Sequence, residues 1–157
     1  VYKRQVLNFG FSGSGKGEPE IAEILSRIEK PSMYILDFDW NVPTGAAMAA
    51  ALPGFLDLLR KRHPAVPILV ISHTPSGPWS QAQSVPSPWP ERTRAQSDEV
   101  ARRRASGDGN IHYLDGMTLL GEDWDECLVD GCHATDLGFY RMAENILPAI
   151  KSILKIQ

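Results

Sequence analysis

Cysteine is nearly missing from this chain: of its 157 residues only Cys127 and Cys132 carry a thiol. Two thiols cannot build a disulfide framework or a four-cysteine zinc site, so they read as structural or incidental, and the redox compartment stays open. Long apolar runs are also lacking. Nothing approaches the roughly 18 residues of a membrane-spanning helix. An excess of positive charge is missing too: 16 Lys and Arg stand against 19 Asp and Glu, a net charge of −3. That balance lacks the electrostatic footprint of a protein that binds nucleic acid or an anionic membrane. There is no internal repeat and no sign of a second domain. What remains is an ordinary globular composition, 43% apolar with a mean hydropathy of −0.21, at a length suited to one domain with a sizeable core. The opening "VYKRQ", Val1 to Gln5, is read as a non-native leader. The domain is therefore taken as residues 6–157, expected to be incomplete at its N-terminus.

The pattern of apolar residues alternates between strand and helix. Val6 to Phe9 reads as a short strand. Glu18 to Ile28 carries apolar residues at helical spacing, with Pro19 suited to a first turn. "MYILDF", Met33 to Phe38, has strand length. Thr44 to Arg62 is rich in Ala and Leu and reads as helix, broken or restarted at Pro53. "VPILVIS", Val66 to Ser72, is β-branched and nearly continuous, as a buried parallel strand should be. Thr74 to Pro90 is rich in Pro and Ser and holds Trp79 and Trp89, the mark of a functional loop. A polar helix over Thr93 to Ala105 leads to a strand at Ile111 to Leu114. A closing helix runs from Asp136 to Leu154 with an apolar face of Leu137, Tyr140, Ile146, Leu147, Ile150 and Leu154. Alternating strands and helices predict an α/β fold, a parallel sheet of four visible strands covered on both faces.

Gly10 to Gly17, "GFSGSGKG", admits three readings. As a phosphate-binding loop it has G-x-x-x-x-G-K between strand and helix, yet Gly17 stands where a Ser or Thr hydroxyl belongs. Glu18 and Glu20 would also compete with a phosphate for the positive end of the helix. As a nucleophile elbow it puts Ser14 where G-x-S-x-G needs its second glycine, which weakens Ser12 as a nucleophile. As a glycine turn at a strand end it can aim an unhindered N–H into a cleft, or do no chemistry at all.

"VDGCHATDLGFYRMAE", Val129 to Glu144, discriminates among them. Asp130 and His133 lie three residues apart ahead of an amphipathic helix, and a carboxylate beside an imidazole makes a general base. Asp136 is the natural helix cap, which leaves this pair without a structural duty. D-x-x-H followed by "TDLGFYRMAE" resembles the last block of the SGNH (GDSL-type) hydrolases. "VLNFGFSG" is similar to that family's second block, with Gly13 at its glycine. "MYILDFDWN" is similar to its third, with Asn41 at its asparagine, although Asp39 and Trp40 replace the usual glycines. "GFSGSGKGEPE" and "DGCHATDLGFYRMA" point towards the bacterial carbohydrate-esterase-like branch.

The resemblance implies a flavodoxin-like three-layer α/β/α sandwich whose first strand is missing here. It implies an ester hydrolase for short acyl esters, acetylated carbohydrates among them, needing no cofactor and no metal. His133 would be the general base and Asp130 its partner, with the Gly13 N–H and the Asn41 amide in the oxyanion hole. The G-D-S block with the nucleophilic Ser has no counterpart in this chain. As given, the chain is therefore expected to be inactive, and its isolated fold marginal or prone to aggregate. Among substrate-binding candidates, Asp39 reads as a cleft carboxylate for a substrate hydroxyl, His73 as lining the cleft or as a plain loop histidine, and Trp79 and Trp89 as stacking on a sugar ring at the cleft mouth or packing against the sheet edge. Asp37 and Asp39 as a metal pair lack further ligands. His63 and His112 read as structural, and Arg92, Arg94 and Arg102 to Arg104 as a solvated helix face. The alternative is a non-catalytic flavodoxin-like module that grips a phosphate or other anion with Lys16 and the Gly10–Gly17 loop. Acyl and alcohol specificity, oligomeric state and compartment, cytoplasmic or exported, are not legible.

Overall fold

All four residues of "ILVI", Ile68–Ile71, are buried, a burial that demands a strand on each edge and a layer on each face. The computed structural model describes residues 4–77 and 89–156 and supplies both. Its elements run α1 (Pro19–Ser26), β1 (Tyr34–Leu36), α2 (Gly45–Arg62), β2 (Ile68–Ile71), α3 (Trp89–Ala105), β3 (Ile111–Leu114) and α4 (Asp136–Leu154). The sheet order is β1-β2-β3. Both pairings are parallel, with Tyr34 opposite Ile68 and Ile68 opposite Ile111. Helices between parallel strands give the three-layer α/β/α architecture that the sequence predicts.

On one face Leu36, Ile68, Val70 and Ile111 pack with Ala22 and Leu25 of α1, Met48, Leu52 and Leu56 of α2, and Val100 of α3. On the other, Leu69, Ile71 and Leu119 meet Met142, Ile146 and Ile153 of α4. Each fully buried Leu or Ile contributes about 1.5–3 kcal/mol.

Four expectations are corrected. Val6 to Phe9 forms no strand: Val6 is 87% and Leu7 51% exposed. A strand exists only where a neighbour completes its ladder, and the outer edge of β1 has no partner among the described residues. The described sheet therefore has three strands, not four. Pro53 does not break α2, which continues to Arg62. Buried Met48 and Leu52 before it, and Phe55, Leu56 and Leu59 after it, hold both halves on one axis against the roughly 3 kcal/mol an internal proline costs. Thr135, not Asp136, caps α4, its Oγ1 accepting from Gly138 N at 3.2 Å. Finally, only part of the α4 face is covered. Ile146 packs on the sheet, while Leu137, Tyr140 and Leu147, and Ile35 on β1, are exposed.

This division gives a direct test by urea denaturation. Leu52→Ala should lower stability by about 2–5 kcal/mol, whereas Leu147→Ala should change it by no more than about 0.5 kcal/mol. Equal losses would contradict the observed placement of the core.

Candidate functional site

Three parallel strands deliver their carboxyl ends to one edge of the sheet, the edge at which α/β proteins gather ligands. β1 leads into a 3-10 turn at Asp39–Asn41, β2 into Ser72 and His73, and β3 into Asp115.

The first group assembled there is buried. Asp39 is 0% exposed. Its Oδ1 accepts from His73 Nδ1 at 2.6 Å, and its Oδ2 from Gln96 Nε2 at 3.3 Å. Arg92 Nη2 lies 3.4 Å from Oδ1, and Arg92 Nη1 donates to Val42 O at 2.8 Å. The His73 ring neighbours two indoles: Trp40 at 4.0 Å between centroids, and Trp89, nearly parallel, at 5.8 Å. Asp39, His73 and Trp89 are thus brought together, Asp39 and His73 through a hydrogen bond and His73 and Trp89 through stacked rings. Trp79 lies outside the described residues.

Sequence reasoning found the helix that closes this group but missed its first turn, which begins at Trp89, and its buried polar face. Arg92 and Arg103 do not belong to a solvated face: both are buried. Arg103 reaches Glu99, Pro53 O and Asp57. The available signal is the spacing of Arg92, Gln96, Glu99 and Arg103 by four, three and four, one helical face whose members are all buried.

The glycine loop forms the second group. Ser12–Ser14 is a 3-10 turn, with Ser12 in the left-handed region at φ 53°. Asn41 Nδ2 donates to Ser12 O at 2.7 Å, tying the two turns together beside Gly13. Gly13 is exposed, and a Cβ built there would meet nothing within 4 Å, so a ligand can approach its backbone closely. Gly17 differs, having φ +79° and a built Cβ only 2.8 Å from the Phe38 ring. Tight packing therefore explains glycine at the position where a phosphate loop needs a hydroxyl. In addition, Glu18 Oε2 accepts from Lys16 N at 2.8 Å, putting a carboxylate on a loop N–H.

The third group is the turn before α4. Asp130 Oδ1 accepts from the backbone N–H of Cys132 (3.0 Å) and His133 (2.8 Å), and its Oδ2 faces His133 Nδ1 at 2.8 Å. The His133 N–H, then its ring, then the Cys132 N–H hold the Asp130 carboxyl down at about 2. The His133 side chain is 74% exposed. An imidazole donating from Nδ1 to a carboxylate presents Nε2 as its proton acceptor. No serine hydroxyl among the described residues bonds to His133.

Residues 72–77 link these groups. At one end His73 bonds Asp39, and at the other Gly77 N donates to Gly131 O at 2.7 Å, inside the Asp130–His133 turn. Ser72 Oγ is engaged by Tyr113 Oη, Gly116 N and Asp115. Among the described residues no cluster of three or more His, Cys, Asp or Glu is arranged to hold a metal ion. Nor is any described helix long and apolar enough to cross a membrane.

Comparison with known proteins gives a consistent answer. Residues 1–151 match the model of the GDSL-like Lipase/Acylhydrolase family. A crystal structure of a protein assigned as a GDSL-like lipase, from Bacteroides ovatus ATCC 8483, superposes with a TM-score of 0.83 at 32% identity, over 96% of this chain and 44% of the other. A salicylyl-acyltransferase from a tetracycline biosynthetic pathway gives 0.75 at 22% identity, over 88% of this chain and 42% of the other. A carbohydrate esterase of family 3 from Talaromyces cellulolyticus gives 0.59 at 18% identity, covering 85% and 68%. The last two likenesses concern the fold. The chain thus spans less than half the length of the first two structures. Among curated proteins none matches it significantly.

The hydrogen bonds on Asp130 fix the sign of its pH response. Its folded value, about 2, lies below the ordinary 3.8. Its contribution to stability is therefore present above pH 3.8 and lost as pH falls from there towards 2. A carbon-13 titration should find this carboxyl ionised at pH 3; a midpoint near the ordinary value would show that the turn does not hold in solution.

Proposed function

Since the chain belongs to the GDSL-like lipase/acylhydrolase family, we propose that it supplies the base and oxyanion half of an ester hydrolase active site. The observation that carries this reading is the Asp130–His133 pair, 2.8 Å apart, with its imidazole open to solvent. His133 Nε2 takes the proton of an attacking serine hydroxyl and returns it to the departing alkoxide. Asp130 fixes the tautomer and stabilises the imidazolium. The resulting acyl-enzyme is then hydrolysed by water that His133 activates in the same way.

The tetrahedral oxyanion is held by the Gly13 N–H and by Asn41. The Asn41 amide has two hydrogens. One is spent on Ser12 O, which orients the group, and the other serves the substrate. Such donors act through preorganisation, each contributing a few kcal/mol to the barrier. The proposed substrates are short acyl esters, acetylated carbohydrates included.

The nucleophilic serine is assigned to a G-D-S segment outside this chain. Ser72 already serves Tyr113, Gly116 and Asp115, and the outer edge of β1, unpaired among the described residues, offers a place for the strand that would carry the serine. The anion-binding alternative fares worse, because Glu18 already accepts from the Lys16 N–H.

The test uses protein that carries the G-D-S segment ahead of Val6 and a chromogenic acetyl ester. His133→Ala should lower kcat by on the order of 10³ or more, and Asn41→Ala by about 10². Lys16→Ala should leave turnover unchanged. Turnover that survives His133→Ala would refute the reading. Nucleotide binding that is lost with Lys16→Ala would favour the alternative.

A further inference from the structure

The oxyanion reading of Asn41 raises the question of what holds that side chain in place, because a short 3-10 turn has little stiffness of its own. We infer that Arg92 is the positioning residue for Asn41. One guanidinium reaches the turn from both sides of the asparagine: Nη1 donates to Val42 O at 2.8 Å, one residue beyond it, and Nη2 lies 3.4 Å from Asp39 Oδ1, two residues before it. The side chain of Arg92 is only 7% exposed, so it acts on this turn and not on substrate. A planar fork suits such a clamp, since its donors are set in fixed relative directions, which a lysine ammonium cannot reproduce.

Asp39 cannot drift, because His73 and Gln96 engage its two oxygens. Arg92 and Gln96 lie one turn apart on α3, whose contact with this turn makes the helix the rigid base against which Asn41 is set. The path of the effect is therefore α3 to Arg92, to the turn, to the Asn41 amide, and on to Ser12 O beside Gly13.

The inference rests on the proposed role of Asn41, and its test separates the two. Kinetics are measured on protein that includes the G-D-S segment, for Asn41→Ala, Arg92→Met, Arg92→Lys and the double variant Asn41→Ala with Arg92→Met. Arg92→Met should lower kcat about tenfold with KM unchanged, because a misplaced donor is felt only in the transition state. Arg92→Lys should fall between Arg92→Met and the parent. The double variant should be no slower than Asn41→Ala alone, since a clamp has nothing to position once the amide is gone.

A second readout needs no turnover. In nitrogen-15 spectra of the same protein, Arg92→Lys, which keeps the charge, should shift the Asn41 side-chain amide pair. Arg60→Met, which removes a remote ion pair with Asp108, should not. Losses that multiply in the double variant, or an Asn41 amide unmoved by Arg92→Lys, would overturn the clamp while leaving the hydrolase reading intact. Full turnover in Asn41→Ala would overturn both the clamp and the oxyanion role of Asn41.

Discussion

A carboxyl group wholly removed from water has to be met by donors from whatever packs around it, and at Asp39 that requirement organises the whole carboxyl edge of the sheet. The group sits just beyond β1. His73 arrives from the end of β2, while Arg92 and Gln96 arrive from α3. Leaving such a group unmet in the interior would cost several kcal/mol. Three elements distant in sequence are thereby brought to a common point, and Asn41 is placed two residues away from it. The local order of this edge follows from burial. No strong preference of the backbone for a 3-10 turn is needed.

The Asp130–His133 pair is built on the opposite logic. It is local, exposed, and shaped by one carboxylate that accepts two backbone N–H groups and faces one ring nitrogen. A pair of this kind folds with its own turn and asks little of the core. Its position relative to the sheet is a separate matter, settled by the backbone bond from Gly77 to Gly131 and by the close packing of Gly138 against Cys127 O. The site thus combines a rigid, buried arm with an open, self-contained one.

These differences decide how much was legible in the sequence. β2 and the long helices could be read because their signals are periodic or continuous within one segment. The Asp130–His133 pair could be read because its partners are three residues apart. Gly13 and Asn41 are candidates only through resemblance to a family pattern, and no composition rule singles them out. Val6 to Phe9 has the letters of a strand, but pairing is non-local, and no described neighbour meets it. Pro53 looked like a break because its cost is local, whereas the packing that overrides it comes from other elements. Arg92 was misread for the same reason: an arginine on a polar helix is solvated unless something distant needs its charge, and Asp39, 53 positions earlier (92 − 39), does.

The crossing of Gly77 and Gly131 has a further consequence for how such a site can be moved or remodelled. A Cβ built on Gly77 would stand 3.2 Å from the Gly131 Cα, so the two main chains touch with nothing between them. The spacing between the histidine turn and the exit of β2 is therefore one backbone thickness, a dimension that side-chain choice cannot tune. Grafting the histidine turn onto another α/β scaffold would have to carry both glycines along: a methyl group on Gly77 would push the Gly131 backbone back by a few tenths of an ångström, and Gly131 holds φ 80°.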